Sequence, residues 1–207
     1  MKISTFLATV VACVLLSSCC GDSEKTQLFN GKDLEGWQFV LADDAQCQPS
    51  EVFYVKDGNV FVAGQPFGYM RTTEKFADCT IHVEWRWVGE ATNSGIFVHV
   101  QDGDGLWPNA IECQLCNGKA GDYVMLGGSK IEEIECVGKF PVKERNGNYE
   151  KPAGEWNEAE IVCKGKEITV YVNGQLQNRC TADSIDGYIA LQSEGGPLEF
   201  RNIYLTK

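Results

Sequence analysis

The sequence predicts an all-β protein, a sandwich or jelly roll of many short antiparallel strands. Three observations predict it. Ile81, Val83, Trp85 and Trp87 alternate strictly with His82, Glu84 and Arg86, the two-residue period of a half-buried strand. Apolar segments elsewhere are short and separated by Gly, Asn and Asp, as at Asp57-Gly58-Asn59 and Val172-Asn173-Gly174-Gln175. No helical period persists for three turns, and neither an internal repeat nor a second domain is visible.

The elements follow in order. Met1-Lys2, the apolar run Phe6 to Leu16 and Leu16-Ser17-Ser18-Cys19 read as a leader ending at a cysteine. This resembles a bacterial lipobox, with residues 1–18 removed and Cys19 lipidated. A simple secretory leader is the alternative. Residues 19–26 form a polar tether, and residues 27–207 are one domain. Val52 to Val55 and Val60 to Val62 make a hairpin, and Tyr69 to Thr73 a short strand. Cys79 to Trp87, Gly95 to Val100 and Ala110 to Cys116 are the next three. Residues 117–156 carry two Gly-rich patches and read as long loops with one hairpin, the kind of segment that covers a site. Glu158 to Lys164, Glu167 to Val172, Gly187 to Gln192 and Glu199 to Leu205 complete the set.

Formal charge is −11, which disfavours nucleic acid and anionic lipid as partners and suits a neutral ligand such as sugar. Contact with a membrane is expected only through the N-terminal lipid, in the periplasm or at the outer-membrane surface. Of the ten cysteines, Cys79 and Cys163 fall on apolar faces and read as core thiols. Cys113-x-x-Cys116 lacks a second pair or a nearby histidine, so structural roles are preferred, with a Cys116–Cys136 bridge as one expectation.

Strand parity then sorts the polar residues. Glu84 and Arg86, His99 with Phe97, Glu112 with Gln114, and Gln192 each occupy the side of their strand opposite the core, with Glu194 just past the last of these strands. The set holds acids, amides, a histidine, an arginine and an aromatic ring, with no lysine. That chemistry suits a sugar-reading groove, although an ordinary wet face laced with ion pairs fits the same parity. Trp107, in the loop Gly105-Leu106-Trp107-Pro108, is the stacking candidate. Trp85 and Trp87 belong to the core, Trp37 and Trp156 pin strand or loop ends, and His82 is exposed. Arg201 has the parity of Ile203 and Leu205, so it is either buried and paired or preceded by a bulge.

Leu28-Phe29-Asn30-Gly31-Lys32-Asp33-Leu34-Glu35-Gly36-Trp37 resembles the opening of the 3-keto-disaccharide hydrolase family. Glu84-Trp85-Arg86-Trp87, Asn93-Ser94-Gly95-Ile96, Glu112-Cys113-Gln114 and Gly154-Glu155-Trp156-Asn157 continue the likeness in order. Val172-Asn173-Gly174, Ile189-Ala190-Leu191-Gln192 and Glu199-Phe200-Arg201-Asn202-Ile203 complete it. The resemblance implies a concanavalin-like jelly-roll sandwich of two curved antiparallel sheets with a site on the concave face. It also implies a bacterial envelope lipoprotein that acts on glycosides oxidised to a ketone at C3. Many relatives carry histidine two residues after the glutamine of Leu191-Gln192, where this chain has Glu194.

A C3 ketone acidifies the C2 proton, so a base can remove it and the C1 substituent then departs, by elimination or with net hydrolysis. For that chemistry Glu112 is the expected base, with Glu84 a secondary candidate for acid or metal ligand. Arg86 stabilises the enolate or holds Glu84, and His99 is a proton shuttle or metal ligand. Asn93, Gln114, Gln192, Glu194 and Trp107 bind substrate. A divalent metal held by His99 with Glu84, Glu112 or Glu194 is an alternative electrophile, although no compact metal motif is present. The rival functions are an ordinary glycosidase using Glu84 and Glu112, and a non-catalytic carbohydrate-binding module.

Overall fold

A computed structural model describes residues 25–207; the leader, Cys19 and most of the tether lie outside the described residues. The chain runs through β1 (Lys25–Gln27), β2 (Trp37–Leu41), the single-turn α1 (Pro49–Val52), β3 (Phe53–Lys56), β4 (Asn59–Val62) and β5 (Gly68–Thr72). It continues through β6 (Cys79–Trp87), β7 (Gly95–Val100), β8 (Ala110–Gln114), β9 (Tyr123–Leu126) and β10 (Val142–Lys143). It ends through β11 (Asn157–Lys164), β12 (Glu167–Val172), β13 (Gln175–Thr181), β14 (Tyr188–Ser193) and β15 (Leu198–Thr206).

These strands form two antiparallel sheets, the jelly-roll sandwich that the sequence predicts. One sheet is ordered β13-β12-β11-β6-β15-β4-β3, with β1 added along β15; the other is ordered β10-β9-β8-β7-β14-β5-β2. The core lies between them. The first sheet contributes Ile81, Val83, Trp85, Ile161 and Phe200; the second contributes Met70, Ile96, Val98, Ile111 and Leu191. In β6 every second residue is buried, as its alternation demands. The expected tether ends earlier than residue 26, because Lys25 and Thr26 pair with Thr206 and Leu205.

β1 and β2 are strands the sequence reading did not predict, and three further places depart from it. β13 was not expected as a strand, because its sequence is polar. Gln177 and Asn178 are nonetheless buried, and Asn178 donates to the carbonyls of Gly121, Lys143 and Glu144. The strand is held by tertiary hydrogen bonds that replace the missing apolar alternation. Arg201 is resolved by a bulge that follows it: Asn202 has φ of 50°, the register shifts between Arg201 and Tyr204, and Ile203 and Leu205 return to the core. The Cys116–Cys136 bridge is not formed. All seven described cysteines are free, and Cys79 and Cys163 face each other across β6 and β11 inside the sandwich.

Candidate active site

The outer face of the second sheet is mostly covered. Tyr69, Phe97, Val100, Ala110, Val124, Leu126 and Ala190 form a second apolar cluster there, with Trp107 and Tyr188 packed on it. The β7–β8 connection is strapped across this cluster. Arg71 on β5 donates to the Gly103 carbonyl at 2.6 Å and to Asp104 Oδ1 at 2.9 Å, and the Tyr69 hydroxyl donates to the Gly105 carbonyl at 3.0 Å. Asp102 is held by Lys75 at 2.8 Å and by the Tyr188 hydroxyl at 3.1 Å. Beside the strap lies a cleft of about 220 Å³. Its polar side chains are Asn93, Glu112, Gln114 and Glu194, and its apolar ones include Trp107, Phe140 and Val142.

Register brings these polar groups together. Glu112 on β8 is opposite Phe97 on β7, and Gln114 is opposite Gly95. A Cβ at position 95 would collide with Glu112 Oε1, so only glycine lets the carboxyl lie across β7. Asn93 meets Glu194 through a bridge beyond the end of β14. Glu112 is 3% exposed and its Oε1 has no hydrogen-bond partner. Burial, and secondarily the Glu194 charge, pushes its carboxyl well above the usual range.

Glu194 fixes the amides around it. Gln192 Nε2 donates to Glu194 Oε2 at 2.8 Å, and the Asn93 amide donates as well. Both amides spend their donors on Glu194, so Asn93 Oδ1 and Gln192 Oε1 are left buried without partners. Burial raises the Glu194 carboxyl, and those two hydrogen bonds offset only part of the rise. Gln114 is turned the other way. Its Oε1 accepts from the backbone of Leu115 and Cys116, both at 2.9 Å, so its NH₂ is the group offered to the cleft. Unpartnered acceptors of Glu112 and Asn93 thus lie buried in one wall of the cleft, with Gln192 behind it rather than lining it, and the Gln114 amide stands on the other side.

Three expected members are elsewhere. Glu84 and Arg86 lie on β6, in the first sheet, and their side of that strand faces away from the core. The whole sandwich separates them from Glu112, more than the roughly 10 Å spacing of packed sheets. There Arg86 pairs with Glu199 at 2.7 Å, and Arg201 pairs with Glu84 at 2.7 Å. Trp156 lies under both guanidinium groups, 4.7 Å from Arg86 and 3.9 Å from Arg201. Burial alone would raise the Glu84 carboxyl, but hydrogen bonds from Asn202 and Arg201 and the Arg201 charge bring it below its ordinary value. His82, expected to be exposed, is half-buried and stacks on Tyr204 with centroids 4.7 Å apart.

His99 misses the cleft for a different reason. It is the extra residue of a bulge, with φ of 53°, where the β7–β14 register shifts between Tyr188 and Ala190. The bulge breaks the parity that tied it to Phe97, and its Nδ1 sits 3.4 Å from Ser184 Oγ. Burial lowers its pKa and favours the neutral ring. The expected metal set of His99 with Glu84, Glu112 or Glu194 is thus not assembled. Among the described residues no group of three or more His, Cys, Asp or Glu side chains is placed to hold a metal ion. The glycosidase pair of Glu84 and Glu112 fails on the same geometry. Sequence reasoning missed Phe140 and Val142, which reach the cleft from the long loop region and from β10; loop length was the only signal.

Known proteins share this architecture. A Parabacteroides distasonis protein provisionally described as a glycosyl hydrolase superposes with a TM-score of 0.65 at 21% identity, over 88% of this chain and 93% of that one. The carbohydrate-binding module CBM66 of Bacillus subtilis superposes with a TM-score of 0.58 at 11% identity, over 83% of this chain and 96% of the module. In sequence, the 3-keto-disaccharide hydrolase of Bacteroides thetaiotaomicron is 25% identical over 227 residues, covering 85% of this chain and 76% of that protein. Residues 24–206 match the 3-keto-alpha-glucoside-1,2-lyase-like domain, and on that match the chain belongs to this family.

Proposed function

We propose that this protein cleaves glycosides already oxidised to a ketone at C3, with Glu112 removing the C2 proton. One observation carries the reading: a buried carboxyl with an unpartnered oxygen stands beside two amide oxygens that also lack partners. Buried acceptors left open call for donors, and sugar hydroxyls supply them. Glu112 is suited to the base role because its raised pKa brings proton uptake and release closer to neutral pH.

The steps follow from the side chains. Glu112 takes the C2 proton, and the electron pair moves to the C3 oxygen as an enolate. The Gln114 NH₂ supports that oxygen, the part first expected of Arg86. The pair then returns to form the C1–C2 double bond, the C3 ketone is restored, and the C1–O bond breaks. Glu194, whose carboxyl burial raises above its ordinary value, gives its proton to the leaving oxygen. Water adding across the double bond gives net hydrolysis; release without it gives the lyase outcome. The Asn93 and Gln192 amide oxygens accept hydrogen bonds from the sugar hydroxyls and hold the ring.

Incubation of the purified protein with a glucoside and with its 3-keto derivative tests this. Cleavage of the keto form alone is expected. Cleavage of both supports an ordinary glycosidase, and binding without cleavage supports a carbohydrate-binding module. Export and anchoring through Cys19 are part of the same proposal, and Cys19→Ser is expected to move the protein from the membrane to the soluble fraction.

A further inference from the structure

We infer that the mouth of the cleft is a leaving-group subsite for a flat, apolar aglycone, so that aryl-type 3-keto-glycosides are preferred to 3-keto-disaccharides. This rests on the function proposed above and concerns the C1 substituent only.

Two loops line the mouth: Trp107 precedes β8 and Phe140 lies between β9 and β10, while Phe67, before β5, backs Trp107 from outside the lining. Trp107 meets Phe67 edge-on at 6.4 Å between centroids and Phe140 at 5.1 Å. Phe67 and Phe140 stay 36% and 37% exposed, and Val142 beside them 46%. Solvated rings converging from separate loops gain their free energy only when something apolar covers them.

Polarity is segregated. Hydrogen-bonding side chains cluster around Glu112, whereas Val124, Leu126, Phe140 and Val142 offer hydrocarbon. Among the described lining residues outside the polar group, only the Trp107 indole N–H can form a hydrogen bond. A second sugar seated there would lose water from several hydroxyls without replacement partners. A planar ring would lose none, and it can stack on the exposed phenyl face. The strap pinned by Arg71 and Tyr69 carries Trp107 and bounds the cleft on that flank, so a leaving group attached to a sugar on Glu112 extends over the Trp107–Phe140 edge. The volume of about 220 Å³ is below that of a typical ligand pocket, room for one ring with its substituent on the rim.

Benzyl and methyl 3-keto-glucosides test this, because their alcohols are similar leaving groups and their ratio reads contact rather than bond reactivity. The wild type is expected to favour benzyl about tenfold in kcat/KM, mostly through KM, and to favour it over 3-keto-trehalose. In Phe140→Ala, checked for folding by circular dichroism, the benzyl-to-methyl ratio is expected to fall to within about twofold, with Phe140→Leu intermediate. Equal rates on benzyl and methyl substrates, an unchanged ratio in Phe140→Ala, or preference for the disaccharide would overturn the inference while leaving keto-glycoside cleavage intact. If no keto-glycoside is cleaved, the function fails and binding still decides the subsite. Calorimetry should then show benzyl glucoside binding more tightly than methyl glucoside in the wild type but not in Phe140→Ala; equal binding in the wild type overturns it.

Discussion

At the residue scale, Glu112 trades stability for chemistry. Its folded pKa is raised, so the protonated form is the comfortable one. Stability is fully present below the unfolded value near 4.3 and is lost as pH rises from there toward the folded value. Glu112→Gln removes that loss and the base together. At pH 8 its Tm is expected to rise by about 2–4 °C, with a smaller gain at pH 4, while turnover falls by about 10²–10⁴-fold. A lower Tm at pH 8 or retained turnover would remove Glu112 from this role. Glu194 makes a separate prediction. Its charge helps raise Glu112, so Glu194→Gln should move the acid limb of the kcat/KM profile to lower pH. An unmoved limb would show that the two carboxylates do not interact. The bulge at His99 and the amide orientations imposed by Glu194 were not readable in the sequence, because both depend on which strand lies alongside.

The element scale turns on β6 and β15. Their shared outer face carries a ladder in which Arg86 pairs with Glu199, Glu84 pairs with Arg201, and Trp156 lies against both arginines. In this chain the residues around Glu84, Trp156 and Arg201 form an ion-pair and stacking tier away from the cleft. Its energy is moderate because the arginines are more than a third exposed. Glu84→Gln is expected to lower Tm by about 2–4 °C, equivalent to about 1 kcal/mol, and to leave kcat/KM within about twofold. A tenfold loss of kcat/KM at unchanged Tm would return Glu84 to the catalytic machinery. Most strands were legible from the two-residue period. β13 was not, because buried amides replace its apolar alternation.

At the scale of the whole molecule, the strap decides how much of the second sheet's outer face is usable. Arg71 grips it through the Gly103 carbonyl and Asp104, so Arg71→Ala should loosen residues 101–108 without unfolding the sandwich. Limited proteolysis is expected to cut this variant within the strap at least several-fold faster than the wild type, with KM raised. Equal cutting rates would mean that the apolar cluster beneath holds the strap unaided.

The sequence by itself determined the fold class, the core face of each major strand and the identity of Glu112, Gln114, Asn93, Gln192, Glu194 and Trp107 as residues of interest. A two-residue period fixes which side chains share one face of one strand, and that information is local. Only the tertiary structure decided which faces meet. β6 entered one sheet and β8 the other, so Glu84 and Arg86 came to stand on the far side of the sandwich from the cleft they resemble. Sheet membership is set by long-range pairing and packing of the whole apolar core, which parity within a strand does not encode.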